Sequence, residues 1–371
     1  MSTVKVNAIT DASGGNTATI NSMTPTADSL QGFRNRIING DMRIDQRNAG
    51  ASVSTTGSYP VDRFYVSEGT SATFTSQRST TAPVGYTNSL LFTVGTGASA
   101  GAAEQVQIRQ AIEGFNIADL AWGTANAKSV TISFQVRSSI TGTYCIFLGS
   151  SDGGVSYVAT YSINSANTFE TKSVTIAGPT TGTFYTDNLT GVLVGWDLGS
   201  GSNFNTTAGS WTSGQYRRTT SQANFISNSG ATFYITGVQL EVGSVATPFE
   251  RRDYGRELIM CQRYYWKITG GTAVPFGSGF NSSTTQNQIV TFFPVEMRTA
   301  PSALEQSGTA SHYRIRHAAT DTTVSVVPAF QNASNWLTWT EATVASGLTA
   351  GQGSFLRSNN ASAYLAWSAE L

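Results

Sequence analysis

Two histidines, His312 and His317, stand five residues apart in the string Ser311-His312-Tyr313-Arg314-Ile315-Arg316-His317. On a strand that interval turns them to opposite faces, and neither has a cysteine or acidic neighbour at ligand spacing. They predict surface imidazoles, not a metal centre. A serine triad needs a buried histidine beside a serine on a tight turn, and surface imidazoles do not supply it. The glycine-rich string Gly149-Ser150-Ser151-Asp152-Gly153-Gly154 lacks the Gly-Lys-Ser/Thr ending and following helix of a phosphate loop, and reads as a hairpin turn. Glycosidic cleavage asks only for two carboxylates, but Asp62, Glu68, Glu104, Glu113, Asp119, Asp152, Asp187 and Asp197 are scattered, mainly in turns. The Asp62-Arg63 pair beside Phe64 and Tyr65 reads as a structural ion pair. No catalytic set, cofactor or metal is expected, and the chain is read as a protein other than an enzyme.

Binding a sugar without cleaving it needs flat rings for pyranose faces and side chains that bond hydroxyls. The stretch 198–218 offers Trp211 and Tyr216 with Asn203, Asn205, Gln215 and Arg217. A second stretch, 332–340, offers Trp336 and Trp339. These four aromatic residues are the candidate glycan platforms. For each tryptophan the competing reading is a core or interface ring.

The elements that must carry these groups are strands. In residues 130–136 every second residue, Val130, Ile132, Phe134 and Val136, is apolar, the mark of a half-buried strand. Similar runs at 144–148, 155–161, 169–176, 192–196 and 233–240, separated by Gly, Ser, Asn and Thr turns, predict two packed antiparallel sheets, a jelly-roll sandwich over residues 36–250. Residues 111–123 predict a short helical turn with Ile117, Leu120 and Ala121 facing the core. Over residues 253–266 Tyr254, Leu258, Cys261 and Tyr265 fall on one helical stripe, with Asp253 placed to cap it. A helix this short needs cover. Two partners would serve, the chain's own sheet or the same helix in other copies around a threefold axis, which makes these four residues trimer-interface candidates. Beyond 267, runs at 289–295, 313–316, 323–327 and 363–367 predict a second β-domain. The fold class is therefore all-β: an extended arm (1–35), the sandwich (36–250), a linking helix (251–266) and a C-terminal β tip (267–371).

Residues 1–35 are too polar to form a core, and predict either an arm that gains order by pairing with other chains or a loose terminus. Charged residues make up only 12% of the chain, and Lys plus Arg balance Asp plus Glu at 22 each. No net field exists to attract nucleic acid or an anionic membrane. So neutral a surface points to burial in an assembly. The start lacks a signal peptide's basic and apolar blocks, which predicts synthesis in a cytoplasm. The two cysteines, Cys145 and Cys261, read as small buried thiols with little to favour a disulfide.

Two passages resemble those of bacteriophage tail fibre and tail proteins, especially of marine and cyanobacterial phages. The first is Asn39-Gly40-Asp41-Met42-Arg43-Ile44-Asp45-Gln46-Arg47 with Tyr59-Pro60-Val61-Asp62-Arg63-Phe64. The second runs from Gly237-Val238-Gln239-Leu240-Glu241-Val242-Gly243 through Pro248-Phe249-Glu250-Arg251-Arg252 to Cys261-Gln262-Arg263-Tyr264-Tyr265. The opening Ser2-Thr3-Val4-Lys5-Val6-Asn7-Ala8-Ile9 and the ending at Glu370-Leu371 are also similar to such fibres. The resemblance implies a carbohydrate-binding-module-like jelly roll whose first and last strands, near Met42 and Val238, share one sheet, and a hinge at residues 248–252. It further implies a homotrimer in the virion, made in the bacterial host cytoplasm and joined to other tail or baseplate proteins through residues 1–35. Members of the family differ in role: some bind host surface polysaccharide, others only connect parts of the virion; the leading expectation here is that the first 35 or so residues dock on the tail while the distal β-domain beyond 267 faces the host glycan.

Overall fold

The computed structural model describes residues 33–371; the attachment arm expected at 1–35 lies, through residue 32, outside the described residues. The chain divides into two compact units, one ending at Arg252 and the other running Asp253–Leu371.

The first unit has twelve strands: β1 (Ser58–Val61), β2 (Phe64–Glu68), β3 (Phe74–Ser79), β4 (Ser89–Val94), β5 (Val106–Glu113), β6 (Val130–Ser138), β7 (Gly142–Gly149), β8 (Val155–Ile163), β9 (Glu170–Ile176), β10 (Thr190–Asp197), β11 (Trp211–Ser213) and β12 (Thr232–Val242). They form a seven-stranded sheet, β1-β2-β5-β10-β7-β8-β11, and a five-stranded sheet, β3-β4-β12-β6-β9. Every pairing is antiparallel. The alternation in β6 works as expected: Val130, Ile132, Phe134 and Val136 all lie in the core. There Phe134 meets Trp196 of β10 edge to face at 5.5 Å, so the two sheets touch through aromatic rings. Burying a side chain of this size contributes roughly 1.5 to 3 kcal/mol. Between β5 and β6 the chain makes two short 3-10 turns, Gly114–Asn116 and Ala118–Leu120, with Ile117 and Leu120 buried and Ala121 at a left-handed φ of 52°.

Residues near Met42 do not form a regular strand, contrary to the expectation of a first strand there. They turn, with Asn39 and Met42 at φ of 60° and 58°. The segment still runs beside β12, bonded through Val238 N to Gly40 O at 2.9 Å and Arg36 N to Leu240 O at 2.8 Å. A Cβ on residue 40 would lie 2.2 Å from the Val238 carbonyl oxygen, so only glycine fits. Buried Asn39 takes the Ile44 N–H at 3.0 Å and donates to the carbonyls of Ile44 and Asp62. The Asp62 carboxylate accepts from Gln46 N and Nε2, and Arg63 donates to Ala111 O at 2.6 Å.

Residues 248–252, where the hinge was expected, end the first unit and are bonded to its entry segment. The Glu250 carboxylate accepts from Phe33 N at 2.7 Å and Asn35 N at 2.8 Å, and buried Arg252 donates to the carbonyls of Asn35 and Ile37. Phe249 packs against Tyr86 with ring centres 5.5 Å apart. Entry and exit of the unit are thereby tied together.

The second unit opens with α1 (Tyr254–Gln262), capped by the Asp253 carboxylate, which takes the Arg256 N–H at 2.9 Å. Strands β13 (Tyr265–Thr269), β14 (Pro275–Asn281), β15 (Gln286–Phe292), β16 (Glu305–Gln306), β17 (Tyr313–His317), β18 (Thr320–Ala333), β19 (Leu337–Val344), β20 (Gly353–Ser358) and β21 (Tyr364–Ser368) follow. Six close a barrel in the order β14-β15-β19-β18-β17-β20, and β13-β21-β16 form a small sheet. The helix is shorter than expected, because Tyr265 begins β13. The aromatic and β-branched run from 265 pairs with the last strand, setting Trp266 opposite Trp367 with rings stacked at 5.4 Å. His317 also departs from expectation: it is buried inside the barrel, its ring nitrogens 3.1 Å from Gln352 Oε1 and 3.0 Å from Thr322 Oγ1. Both cysteines are free and buried.

Candidate functional site

The outer face of the seven-stranded sheet is where polar groups gather. Strand pairing sets a row of residues across it: Tyr65 on β2 faces Arg109 on β5, Arg109 faces Gly195 on β10, Gly195 faces Phe147 on β7, and Phe147 faces Val158 on β8. Gly195 is the gap in this row. A Cβ there would meet the Phe147 ring at 2.4 Å and the Arg109 side chain at 3.1 Å, so glycine lets the ring and the guanidinium stem close over it.

The segment between β10 and β12 folds over part of this face. Trp211, Thr212 and Ser213 add to the sheet edge as β11. Gly214 N bonds Gly154 O at 3.0 Å and Tyr216 N bonds Ser156 Oγ at 2.9 Å, which pins the next residues to β8. Tyr216 rests on Cys145, Phe147 and Val158. Arg217 and Arg218 both donate their backbone N–H to Phe204 O, doubling the loop back on itself. Thr219 N donates to Cys145 Sγ at 3.3 Å, and burial pushes that thiol up, so it is inert at neutral pH.

What remains open is a cleft of about 120 Å³. Its floor is Phe147 and Leu193, one wall is Tyr216 with Arg217, another is Arg109, and its rim is the Gly149–Gly153 turn. Arg217 is buried, its guanidinium 4.5 Å from the Phe204 ring centre and 5.6 Å from that of Phe147. Its Nε donates to Gln107 Oε1 at 3.2 Å. Burial, with Arg109 beside it, lowers its pKa to about 10, which leaves it charged at neutral pH. Arg109 lies over the Tyr65 ring at 4.8 Å.

Two carboxylates lie close by. Asp197 sits beneath the loop, its Oδ1 accepting from Gly199 N, Ser200 N and Gln222 Nε2, with its pKa raised by burial. Asp152 belongs to the β7–β8 turn, where the Ser150 hydroxyl and the Gly154 N–H hold its carboxyl below the usual range. No acidic residue lines the cleft itself. Two strings, Gly97-Ala98-Ser99-Ala100-Gly101 and Gly149-Ser150-Ser151-Asp152-Gly153, do carry the Gly-x-Ser-x-Gly spacing of a nucleophile elbow. Neither leads into a helix, and both histidines belong to the second unit.

The structure thus separates the glycan candidates. Tyr216 reaches the cleft. Trp211 does not: its ring is packed among Trp122, Tyr157 and Phe184, and its Nε1 donates to Ala177 O at 2.7 Å. It is a core-edge ring. Trp336 and Trp339 belong to the barrel, where they are 55% and 38% exposed, with Phe292 at 69% on the adjoining strand. Of the trimer-interface candidates, Tyr254 is exposed, Leu258 half-buried and Cys261 buried on α1, while Tyr265 is buried on β13 and donates its hydroxyl to Glu305 Oε2. Arg109 carried no sequence signal of its own, since in β5 it reads as one polar residue of an alternating strand. Among the described residues no group of three His, Cys, Asp or Glu is placed to hold a metal.

No protein-family model matches this chain, and no curated protein does. Solved structures similar to it include the enzymatically active domain of tailspike protein 4 of bacteriophage CBA120, with 12% identity, 57% of this chain and 22% of that chain covered, and a TM-score of 0.32. Others are a putative sugar binding protein from Bacteroides thetaiotaomicron (12% identity, 56% and 100% covered, TM-score 0.30) and a family 11 carbohydrate-binding module from Clostridium thermocellum in complex with a mixed-linked tetrasaccharide (12%, 54% and 100%, TM-score 0.28). This chain spans about a fifth of the tailspike domain. Likenesses at this level leave the functional reading to the residues themselves.

Proposed function

We propose that the chain is a non-catalytic, glycan-binding subunit of a phage tail fibre. The observation that carries this is the cleft on the seven-stranded sheet: one aromatic ring seated on apolar neighbours, hydrogen-bond donors around it, and backbone pinned on both sides. Such a site holds a sugar ring on Tyr216 and bonds its hydroxyls through Arg109, Arg217 and Gln215. A depolymerase would place two carboxylates across the bound sugar, and arginines stand there instead. The fibre assignment draws on the strings around Gly40 and Glu250, which resemble phage tail proteins and here lock entry to exit. In this reading residues 1–35 join the fibre to tail or baseplate proteins, copies associate as a homotrimer in the virion, and the partner at the cleft is host surface polysaccharide.

The test is affinity electrophoresis of the full chain through gels containing bacterial envelope polysaccharide. Retardation that Tyr216→Ala abolishes, with an unchanged melting temperature, supports glycan binding. Migration unaffected by any polysaccharide refutes it and favours a purely connecting protein of the head, collar or baseplate. Release of reducing ends would instead show a depolymerase.

A further inference from the structure

We propose that the cleft selects an acidic sugar, whose carboxylate or sulfate sits against Arg217 and Arg109 while its ring lies on Tyr216. This rests on the glycan reading above and narrows it to a chemical class. The argument begins with Arg217, which is only 5% exposed yet lines the cleft. A guanidinium removed from water is costly unless its N–H groups are bonded and its charge is opposed. Arg217 has Gln107 on Nε and a long 3.5 Å contact from Nη2 to the exposed Gln215, and its Nη1 has no hydrogen-bond partner. The rings of Phe204 and Phe147 lie near the guanidinium and offer no acceptor for that edge.

Nor is the charge held in an ion pair, although Asp197 acts on it through space. Among the described residues neither Arg217 nor Arg109 forms an ion pair with a carboxylate. Of the nearby acids, Asp152 is bonded within its own turn, while Asp197 lies beneath the loop with Oδ1 taken by Gly199, Ser200 and Gln222 and a buried Oδ2 that has no hydrogen-bond partner, and it makes no ion pair with Arg217. Two guanidiniums therefore face one small cavity and repel each other; burial is the main cause of the lowered pKa of Arg217, with Arg109 adding to it and Asp197 opposing it. A neutral sugar would leave that repulsion in place. A planar or tetrahedral anion accepts from both forks at once and relieves it, a geometry for which arginine is better suited than any other side chain.

The experiment is titration calorimetry of the full chain with three tetrasaccharides: an oligogalacturonate, a sulfated heparin fragment and neutral cellotetraose. One of the two acidic probes should bind at least about tenfold more tightly than the neutral one, and added salt should weaken it. Which acidic probe wins distinguishes carboxylate from sulfate. Arg109→Gln, at a half-buried position on the sheet surface, should weaken the acidic ligand about 10- to 100-fold and the neutral one little. Equal or tighter binding of cellotetraose overturns the inference while leaving glycan binding intact. Acidic binding that Arg109→Gln does not weaken also overturns it, placing the anion elsewhere on the protein. Failure of all three probes sinks both readings. The probe ranking and salt dependence in the unaltered chain need no variant, so they hold even if a substitution impairs folding.

Discussion

Replacing Gly40 by alanine should lower the melting temperature of the first unit. The backbone at Gly40 is not in the left-handed region, so alanine suits its dihedrals, and in open space the change would stabilise by about 0.4 to 1 kcal/mol through the unfolded chain. Here the added Cβ would stand 2.2 Å from the Val238 carbonyl oxygen, 3.2 Å from its carbon and 3.3 Å from the Phe249 ring. The nearest two atoms are backbone and cannot rotate aside, so the entry segment must lift away from β12. Lifting it breaks the 2.9 Å bond from Val238 N to Gly40 O. Overpacking costs about 1 to 3 kcal/mol and the lost bond about 1 more, for a net loss of roughly 2 to 3 kcal/mol. For a unit of this size that is a fall of about 4 to 12 °C in melting temperature. Scanning calorimetry measures it, with Gly353→Ala as control, since a Cβ there meets nothing within 4 Å. A Gly40→Ala protein melting within about a degree of the parent would refute the reasoning, because the close approach would then not be real.

Two further outcomes follow from buried and half-buried groups. Asp197 has a pKa raised above 3.8 by burial, so between 3.8 and its folded value the native state holds more protons than the unfolded one, and stability falls as pH rises through that window. Asp197→Asn keeps an oxygen for the three donors but loses the charge. The melting temperature of the variant relative to the parent should therefore be most favourable near pH 7 and decline toward pH 4; a difference independent of pH would contradict the assignment. If α1 forms a seam between copies, the parent should sediment as a trimer and Leu258→Asp, which puts a charge on its half-buried face, as a smaller species. A monomeric parent would exclude that seam.

Much of the architecture was legible because its causes are local. Alternation in residues 130–136 marks a strand whatever its partners are, and Asp253 caps a helix through a bond only three residues long. Tyr265 could not be read this way. Its apolar spacing continues the helical stripe, but a strand near the other end of the second unit offers it paired backbone and stacked tryptophans, and long-range pairing overrode the local pattern. Trp211 is a similar case, since its loop composition suited an exposed platform and only folding brought Trp122, Tyr157 and Phe184 around it.

The site shows the same division. Residue types in 198–218 were enough to place Tyr216, Gln215 and Arg217 among groups that could meet a sugar. That Arg217 is buried with an unsatisfied edge, and that Arg109 from a strand far upstream shares its cavity across Gly195, was settled by the strand order of the sheet and by the loop folding over it. Period and capping depend on neighbours within a few residues, which a linear chain displays. Charge opposition and cleft shape depend on which strands lie side by side, and that choice is made by the whole sheet closing over its core.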